Sequence, residues 1–188
     1  MAGTATDIQI ASNALLLLGH EPIASFEEPT AGATIAANLY DSSYKSMLTT
    51  YRWRFATKSS VQLARLATAS DENYSYSFQL PADLLYLQRV TDRNLNYEIY
   101  GDKLHTNQTT VSIDYTYDVA ADKLPAYYVK SLEFFLSTQF ALSLTGDLNK
   151  MQAFERAYSY QLKQAKFADG TQRPNRSFED NPYVDVRS

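Results

Sequence analysis

The side chains that could carry out acid–base or metal chemistry are few and widely spaced in this sequence. The chain has two histidines, His20 and His105, and no cysteine, which excludes a thiolate nucleophile, a zinc–thiolate site and an iron–sulfur cluster. The histidines do not form the His-x-x-x-His pair of a zinc protease, and the isolated glycines form no phosphate-binding loop. No Gly-x-Ser-x-Gly segment presents a serine nucleophile. We therefore expect no metal and no cofactor.

A pair of carboxylates is another arrangement that could carry out catalysis. Glu27 and Glu28 are adjacent in a segment between two predicted helices, where carboxylates are usually solvated. Two carboxylates that the fold brings together can hydrolyse a glycosidic bond, one as the acid and the other as the nucleophile or base. A carboxylate-dependent peptidoglycan or polysaccharide hydrolase is therefore one function to consider for this chain, as an alternative to a non-enzymatic role.

The segment Arg52-Trp53-Arg54 interleaves basic and aromatic residues, as surfaces that bind single-stranded nucleic acid do. Period-two alternation over 52–57 predicts a half-buried strand, with Trp53 and Phe55 inside and the arginines at the surface. The formal net charge of the chain is −4, which argues against a strongly basic nucleic-acid binder. We therefore predict that Trp53 and Phe55 have structural roles.

Tyrosine is present in excess, with 15 among 188 residues. Tyrosines are enriched at protein interfaces because one end of the side chain is apolar and the other forms hydrogen bonds. Strands also favour tyrosine for packing alone, so both interpretations remain open. The tyrosines concerned are Tyr97, Tyr100, Tyr115, Tyr117, Tyr127 and Tyr128.

Apolar residues at helical spacing predict four helices, over 7–18, 31–51, 125–144 and 148–167. The stretch 60–118 between the second and third helices alternates polar and apolar residues, as strands do. Since no single pair of helices buries its own apolar face, helices from both ends of the chain are expected to pack together.

Capping residues mark where these helices begin and end. Thr6 or Asp7 is expected to be the N-cap of the first helix, and Gly19 is expected at its C′ position with a positive φ. Pro125 fits the first position of the third helix, which needs no N–H donor, with Asp122 as its cap.

Within the β-rich stretch, one strand is expected to stop at Pro81. The pair Gly101-Asp102 suits a two-residue type II′ hairpin turn, with glycine at the first turn position. The segment 82–90 fits either a short helical turn or another strand.

This order of elements predicts an α+β fold: an antiparallel bundle of about four helices with an inserted small antiparallel β module and an extended C-terminal arm. The helical core is discontinuous, from 1–57 and 119–170, and the β module spans 58–118. The arm, 171–188, has no periodicity and is expected to become ordered against a partner. Its predicted interface residues are Arg173, Arg176, Phe178, Tyr183 and Val184.

Three segments of the chain follow one another in a recognisable order. The first, 15–26, ends a leucine-rich helix with Leu-Gly and continues to Pro-Ile. The second, 36–56, ends in Trp-Arg-Phe-Ala, and the third, 78–85, contains Leu-Pro-Ala-Asp. In order and spacing they resemble the phage head–tail adaptors of the tail tubular protein A family. The structural anchors predicted in these segments are Gly19, Pro22, Trp53, Phe55 and Pro81.

The resemblance implies a structural virion protein rather than an enzyme. Such adaptors form a ring, commonly of twelve subunits, under the portal, join it to the tail nozzle or tail tube, and let DNA pass without sequence-specific binding. The implied partners are the portal protein, the nozzle or tube protein and further copies of the chain. The implied location is the head–tail junction of the virion, after assembly in the host cytoplasm. For a virion protein, the alternative function is a carboxylate-dependent peptidoglycan or polysaccharide hydrolase carried in the virion tail.

The N-terminal region carries no sign of a targeting segment. Residues 1–10 contain no Lys or Arg, and the apolar run 14–18 is far shorter than the ~20 residues of a membrane span. We therefore expect neither a signal peptide nor a membrane partner.

Overall fold

The computed structural model describes residues 4–67 and 73–172 of the chain. Within these residues, α-helices combine with two small antiparallel sheets, which agrees with the predicted α+β class. The helices are α1 Ala5–Leu17, α2 Ala31–Thr49, α3 Ala126–Thr145 and α4 Leu148–Gly170, and a short 3-10 helix, Ala121–Lys123, precedes α3. The strands are β1 Thr57–Gln62, β2 Ala64–Arg65, β3 Tyr76–Gln79, β4 Leu84–Val90, β5 Tyr97–Tyr100, β6 Lys103–Thr106 and β7 Ser112–Tyr117.

The first helix begins earlier than predicted, because Thr4 is its N-cap. The Thr4 hydroxyl accepts a hydrogen bond from the Asp7 N–H at 3.2 Å, and the Asp7 carboxylate accepts one from the Thr4 N–H at 2.9 Å. This reciprocal capping box satisfies two N–H groups at once. The prediction of Thr6 or Asp7 as the cap is therefore wrong. Gly19 follows α1 with φ +81°, as predicted.

The start of α3 also differs from the prediction. Pro125 is the N-cap rather than the first helical residue, since its ψ of 145° is extended. Its carbonyl oxygen accepts the first helical hydrogen bond, from the Val129 N–H at 3.0 Å. Asp122 lies in the 3-10 helix and does not cap α3.

The predicted strand over 52–57 is wrong for most of its length. The chain turns there instead: the Ala56 N–H donates to the Trp53 carbonyl, and the Thr57 N–H to the Arg54 carbonyl, both at 3.3 Å. Strand β1 begins only at Thr57. The alternation of the sequence therefore reflects which side chains are buried in a turn, not the pairing of a strand.

The two sheets lie in the middle of the chain. The order of the first is β1-β7-β4, and that of the second is β2-β3-β6-β5. The segment 82–90, left open by its pattern, contains strand β4. Between β5 and β6, Gly101 has φ +60° and Tyr100 pairs with Lys103, which agrees with the predicted two-residue turn. Side chains from both sheets share a second apolar core, which includes Phe78 and Ile113.

Helix α3 lies at the centre of the helical part: it packs against α1, α2 and α4, whereas α1 and α2 contact each other little. The Ser137 hydroxyl donates to the Ala14 carbonyl of α1 at 3.0 Å. The Tyr128 hydroxyl donates to the Tyr44 carbonyl of α2 at 3.4 Å. Helices from both ends of the chain thus share one core. The large side chains of α3 that are fully buried are those of Tyr128, Leu132, Leu136 and Phe140.

Two apolar residues, which helical spacing places on the predicted buried faces of the second and fourth helices, are exposed. Ala37 of α2 is exposed, and Leu148, the first residue of α4, has 58% of its surface accessible. Both helices also end elsewhere than predicted. Helix α2 stops at Thr49, and α4 continues to Gly170 because Asp169 is held inside the fold.

Candidate interaction surfaces

Trp53 lies where the end of α2 meets the start of α3. It is fully buried, with 0% of its surface accessible, and its indole N–H donates to the Met47 carbonyl at 3.1 Å. Its ring packs edge-to-face against the rings of Tyr51 and Tyr128, with centroid distances of 5.0 and 5.2 Å. Phe55 is half-buried and packs beside it. Trp53 is therefore unavailable for base stacking.

Asp114 of β7 forms ion pairs with two arginines from different elements. Its fully buried carboxylate accepts hydrogen bonds from Arg89 Nε at 2.7 Å, from an Arg52 guanidinium nitrogen at 2.9 Å and from the Ser60 N–H at 2.8 Å. Ser60 has φ +54° at an irregularity in the β1–β7 pairing. Burial raises the pKa of Asp114, but the Ser60 N–H and the two arginines outweigh it, so the pKa lies below its usual range.

Asp169 ties the last turn of α4 to the same region. Its buried carboxylate accepts the Arg54 N–H, with N–O distances of 3.0 and 3.2 Å, and the Tyr127 hydroxyl at 2.9 Å. The segment Arg52-Trp53-Arg54 thus has three structural contacts, through the Arg52 side chain, the Trp53 ring and the Arg54 backbone. These contacts favour the structural interpretation of this segment over a nucleic-acid interface.

The surface of α4 opposite α3 carries exposed aromatic side chains. Tyr160 and Phe167 have 60% and 72% of their surfaces accessible. Seven residues apart, they lie two turns from each other on one side of the helix. Arg156 and Lys163 are exposed on the same side. We call these four residues the outer face of α4.

A pocket of about 230 Å³ lies between α1, α2 and the connection that follows β7. Its walls are aromatic: Tyr40 stacks on Tyr44 with 6.1 Å between centroids and lies 5.6 Å from the Phe26 ring. The Tyr40 hydroxyl donates to Asp7 at 2.9 Å, and the Tyr44 hydroxyl donates to the Val119 carbonyl. Burial, and after it the charge of a nearby aspartate, raises the pKa of both tyrosines, so the two phenols stay protonated.

Three carboxylates line this pocket, those of Asp7, Asp41 and Asp118. Asp41 forms an ion pair with Lys45 at 2.9 Å. No hydrogen bond or ion pair reaches the Asp118 carboxylate from the described part of the chain. Loss of water around Asp118 raises its carboxyl pKa, and Asp41 adds to the rise while Lys45 opposes it. We call this site the acidic pocket.

Most of the clustered tyrosines are buried or half-buried. Tyr115 and Tyr128 are buried, and Tyr117 and Tyr127 are half-buried. Tyr97 and Tyr100 remain exposed on β5, which lies at the edge of its sheet. The structural interpretation holds for four of the six tyrosines, and the interface interpretation stays open for the two on β5.

The remaining predicted anchors differ in burial. Gly19 and Pro22 are exposed, and the buried residue of that loop is Ile23. Pro81 is half-buried, and its carbonyl accepts the Leu84 N–H at 3.1 Å. The predicted residues of the arm lie outside the described residues: Arg173, Arg176, Phe178, Tyr183 and Val184.

The adjacent glutamates have different surroundings. Glu27 is exposed, and the Glu28 carboxylate accepts the Ala24 and Ser25 N–H groups at 2.6 and 3.0 Å. It therefore closes a loop. The ring of His105, on β6, has its Nδ1 3.3 Å from the Ser77 hydroxyl of the neighbouring strand.

Sequence reasoning missed the two surfaces with the most distinctive chemistry. The outer face of α4 has a signal in the sequence, since Tyr160 and Phe167 recur at a spacing of seven on the side away from the predicted apolar stripe. The acidic pocket has no such signal, because Asp7, Asp41 and Asp118 come from three separate elements.

Residues 4–67 and 73–172 contain no group of three or more His, Asp or Glu side chains placed to hold a metal ion. No helix in the same ranges is both long and apolar enough to cross a membrane. Neither the protein-family models nor the curated proteins include a match to this chain.

Proposed function

We propose that the chain is a structural head-to-tail adaptor of a phage virion. It forms a ring under the portal, joins the portal to the tail nozzle or tail tube, and lets DNA pass. The proposal rests on the resemblance of three ordered segments to the tail tubular protein A family. The structural observation that supports it is the outer face of α4, where Tyr160 and Phe167 expose apolar area that a partner surface would cover.

In this proposal, the four helices are an antiparallel bundle that forms the body of each subunit, and the β module is an insertion projecting from it. Asp169 fixes the end of α4 beside Arg54, so the arm leaves the subunit where the bundle meets the β module. The arm then binds the portal or a neighbouring subunit through its arginines and aromatic residues.

Passage of DNA is compatible with the charge of the chain. Affinity for the phosphate backbone of DNA comes mainly from cationic side chains. Because the net charge of the chain is −4, we expect its affinity for DNA to be low. The two arginines that Asp114 holds are already partly neutralised by its carboxylate. If the channel shares this mildly acidic character, DNA slides through it without being held.

Assembly on purified portal tests this function. The contact between two subunits is expected to be weak until the ring closes, so the isolated chain should be a monomer or small oligomer. When portal is added, subunits should bind to it and assemble into a ring. Light scattering of the chain alone, followed by sedimentation with portal, measures both states. An obligate stable dimer, or a chain that stays in the supernatant with portal present, would contradict the proposal.

The acidic pocket is the observation that favours the alternative, a carboxylate-dependent hydrolase. Asp118 has a raised pKa, as a general acid requires, and Asp41 lines the same pocket. If the adaptor proposal is right, purified protein releases no fragments from peptidoglycan. Turnover that Asp118→Asn abolishes, and that Glu27→Gln outside the pocket leaves unchanged, would establish the hydrolase instead.

A further inference from the structure

We infer that the outer face of α4 in one subunit docks into the acidic pocket of a second copy of this chain. The inference rests on the proposed ring-forming function and assigns its subunit contact to two surfaces. The cationic surface consists of Arg156, Tyr160, Lys163 and Phe167. The acidic surface consists of Asp7, Asp41 and Asp118 with the aromatic walls Phe26, Tyr40 and Tyr44.

The charges of the two surfaces are complementary. Arg156 and Lys163 are exposed, and neither forms an ion pair within residues 4–67 and 73–172. The acidic pocket has three carboxylates, and among the described residues only Asp41 has a cationic partner, Lys45. Docking would place an arginine or lysine beside Asp118, whose carboxylate receives no hydrogen bond and forms no ion pair within residues 4–67 and 73–172. Complementary charge of this kind sets the orientation of a contact.

The shapes and side-chain types also match. The pocket, at about 230 Å³, has room for one large side chain. The stacked rings of Tyr40 and Tyr44 and the tilted Phe26 ring offer flat surfaces. Such surfaces suit an aromatic ring or a guanidinium group. The exposed side chains Tyr160 and Arg156 lie one helical turn apart on α4, so one can enter the pocket while the other meets its rim.

The two surfaces lie on different parts of the subunit. The acidic pocket is formed by α1, α2 and the connection after β7, whereas α4 packs against α3. A contact that joins two different surfaces is heterologous, so each subunit keeps one of each surface free for the next copy. Repetition of such a contact closes into a ring when its rotation allows. A ring under the portal requires this type of contact.

Cysteine cross-linking tests the contact directly, because the chain has no cysteine of its own. Ala37 lines the acidic pocket, so Ala37→Cys places a thiol there. Gln164→Cys places one between Tyr160 and Phe167 on the outer face of α4. Both positions are exposed, so neither variant disturbs the core. The variants are mixed at high concentration, with and without portal, and treated with a short bis-maleimide. Asn94→Cys, exposed in the loop before β5, replaces Gln164→Cys in the control.

The expected product is a dimer that forms only when the Ala37→Cys and Gln164→Cys variants are mixed. A chain with both cysteines should give a ladder of multimers, and the Asn94 control should give no product. Reversing both charges, Arg156→Glu with Lys163→Glu, should reduce the product about tenfold or more, because like charges then face each other. Asp118→Lys in the partner should restore part of it.

Three other outcomes would overturn the inference. A dimer from either single variant alone would indicate a two-fold contact. If rings formed on portal but the Ala37→Cys and Gln164→Cys variants gave no cross-linked dimer, the subunit contact would lie elsewhere, and the adaptor function would not be contradicted. If the experiment gave no rings on portal and no mixed product, both the adaptor function and the inference would be refuted.

Discussion

Replacing Trp53 by alanine is expected to lower the free energy of unfolding by about 3–5 kcal/mol. The substitution removes a fully buried ring and its packing against Tyr51 and Tyr128. It also leaves the Met47 carbonyl without the indole N–H donor. For a chain of this size, the loss corresponds to a fall in Tm of roughly 10 °C, measurable by calorimetry or circular dichroism.

Tyr160→Ala is the matched control, since it removes an aromatic ring that is 60% accessible. Its effect on the stability of the isolated subunit should stay within about 0.5 kcal/mol. An unchanged Tm for Trp53→Ala would contradict the packing described for the junction between α2 and α3, and would reopen the nucleic-acid interpretation of Arg52-Trp53-Arg54.

Replacing Asp114 by alanine is expected to lower the free energy of unfolding by about 2–4 kcal/mol. Removal of one partner from a buried ion pair typically costs more, but Arg52 and Arg89 are each about half exposed here, so water compensates part of the loss. The Ser60 N–H would also lose its acceptor while its backbone stays at a positive φ. Urea unfolding curves at neutral pH measure this cost.

The contribution of Asp114 should also depend on pH in a defined direction. The pKa of Asp114 is lower in the folded state than its usual value, so the folded state favours the ionised form. The stabilisation is therefore fully present above the unfolded pKa of about 3.9. It is lost as the pH falls through the lower folded value. The stability difference between the natural chain and Asp114→Ala should shrink below about pH 4.

Asp41→Ala is the control for this second prediction. Asp41 forms an ion pair with Lys45, and both side chains are over 40% exposed, so its removal should cost about 0–1 kcal/mol. Equal costs for Asp114→Ala and Asp41→Ala would show that the buried carboxylate does not organise β1, β4 and β7.

Local patterns in the sequence were enough to predict the four helices and the turn at Gly101-Asp102. Periodicity finds a helix because its buried face repeats every three to four residues. The alternation over 52–57 was misleading, since a tight turn that buries Trp53 produces the same polar–apolar order as a strand. The Thr4 cap was missed because the cap requires the carboxylate of Asp7 to reach back three residues, and Thr6 offered an equally suitable side chain.

The candidate surfaces were less accessible from the sequence than the fold. Asp7, Asp41 and Asp118 are far apart along the chain, and only the packing of α1 and α2 beside the end of β7 brings them to one pocket. The same limit applies to Asp114, whose three partners come from β1, β4 and the turn after α2. Residues that meet across long sequence separations leave no local period to detect.

The most direct measurement of the central claim is electron microscopy of the purified chain mixed with portal. The adaptor proposal predicts a single ring of this chain, commonly of twelve copies, coaxial with the portal channel and open along its axis. Portal particles that remain bare at saturating concentrations of the chain would contradict it.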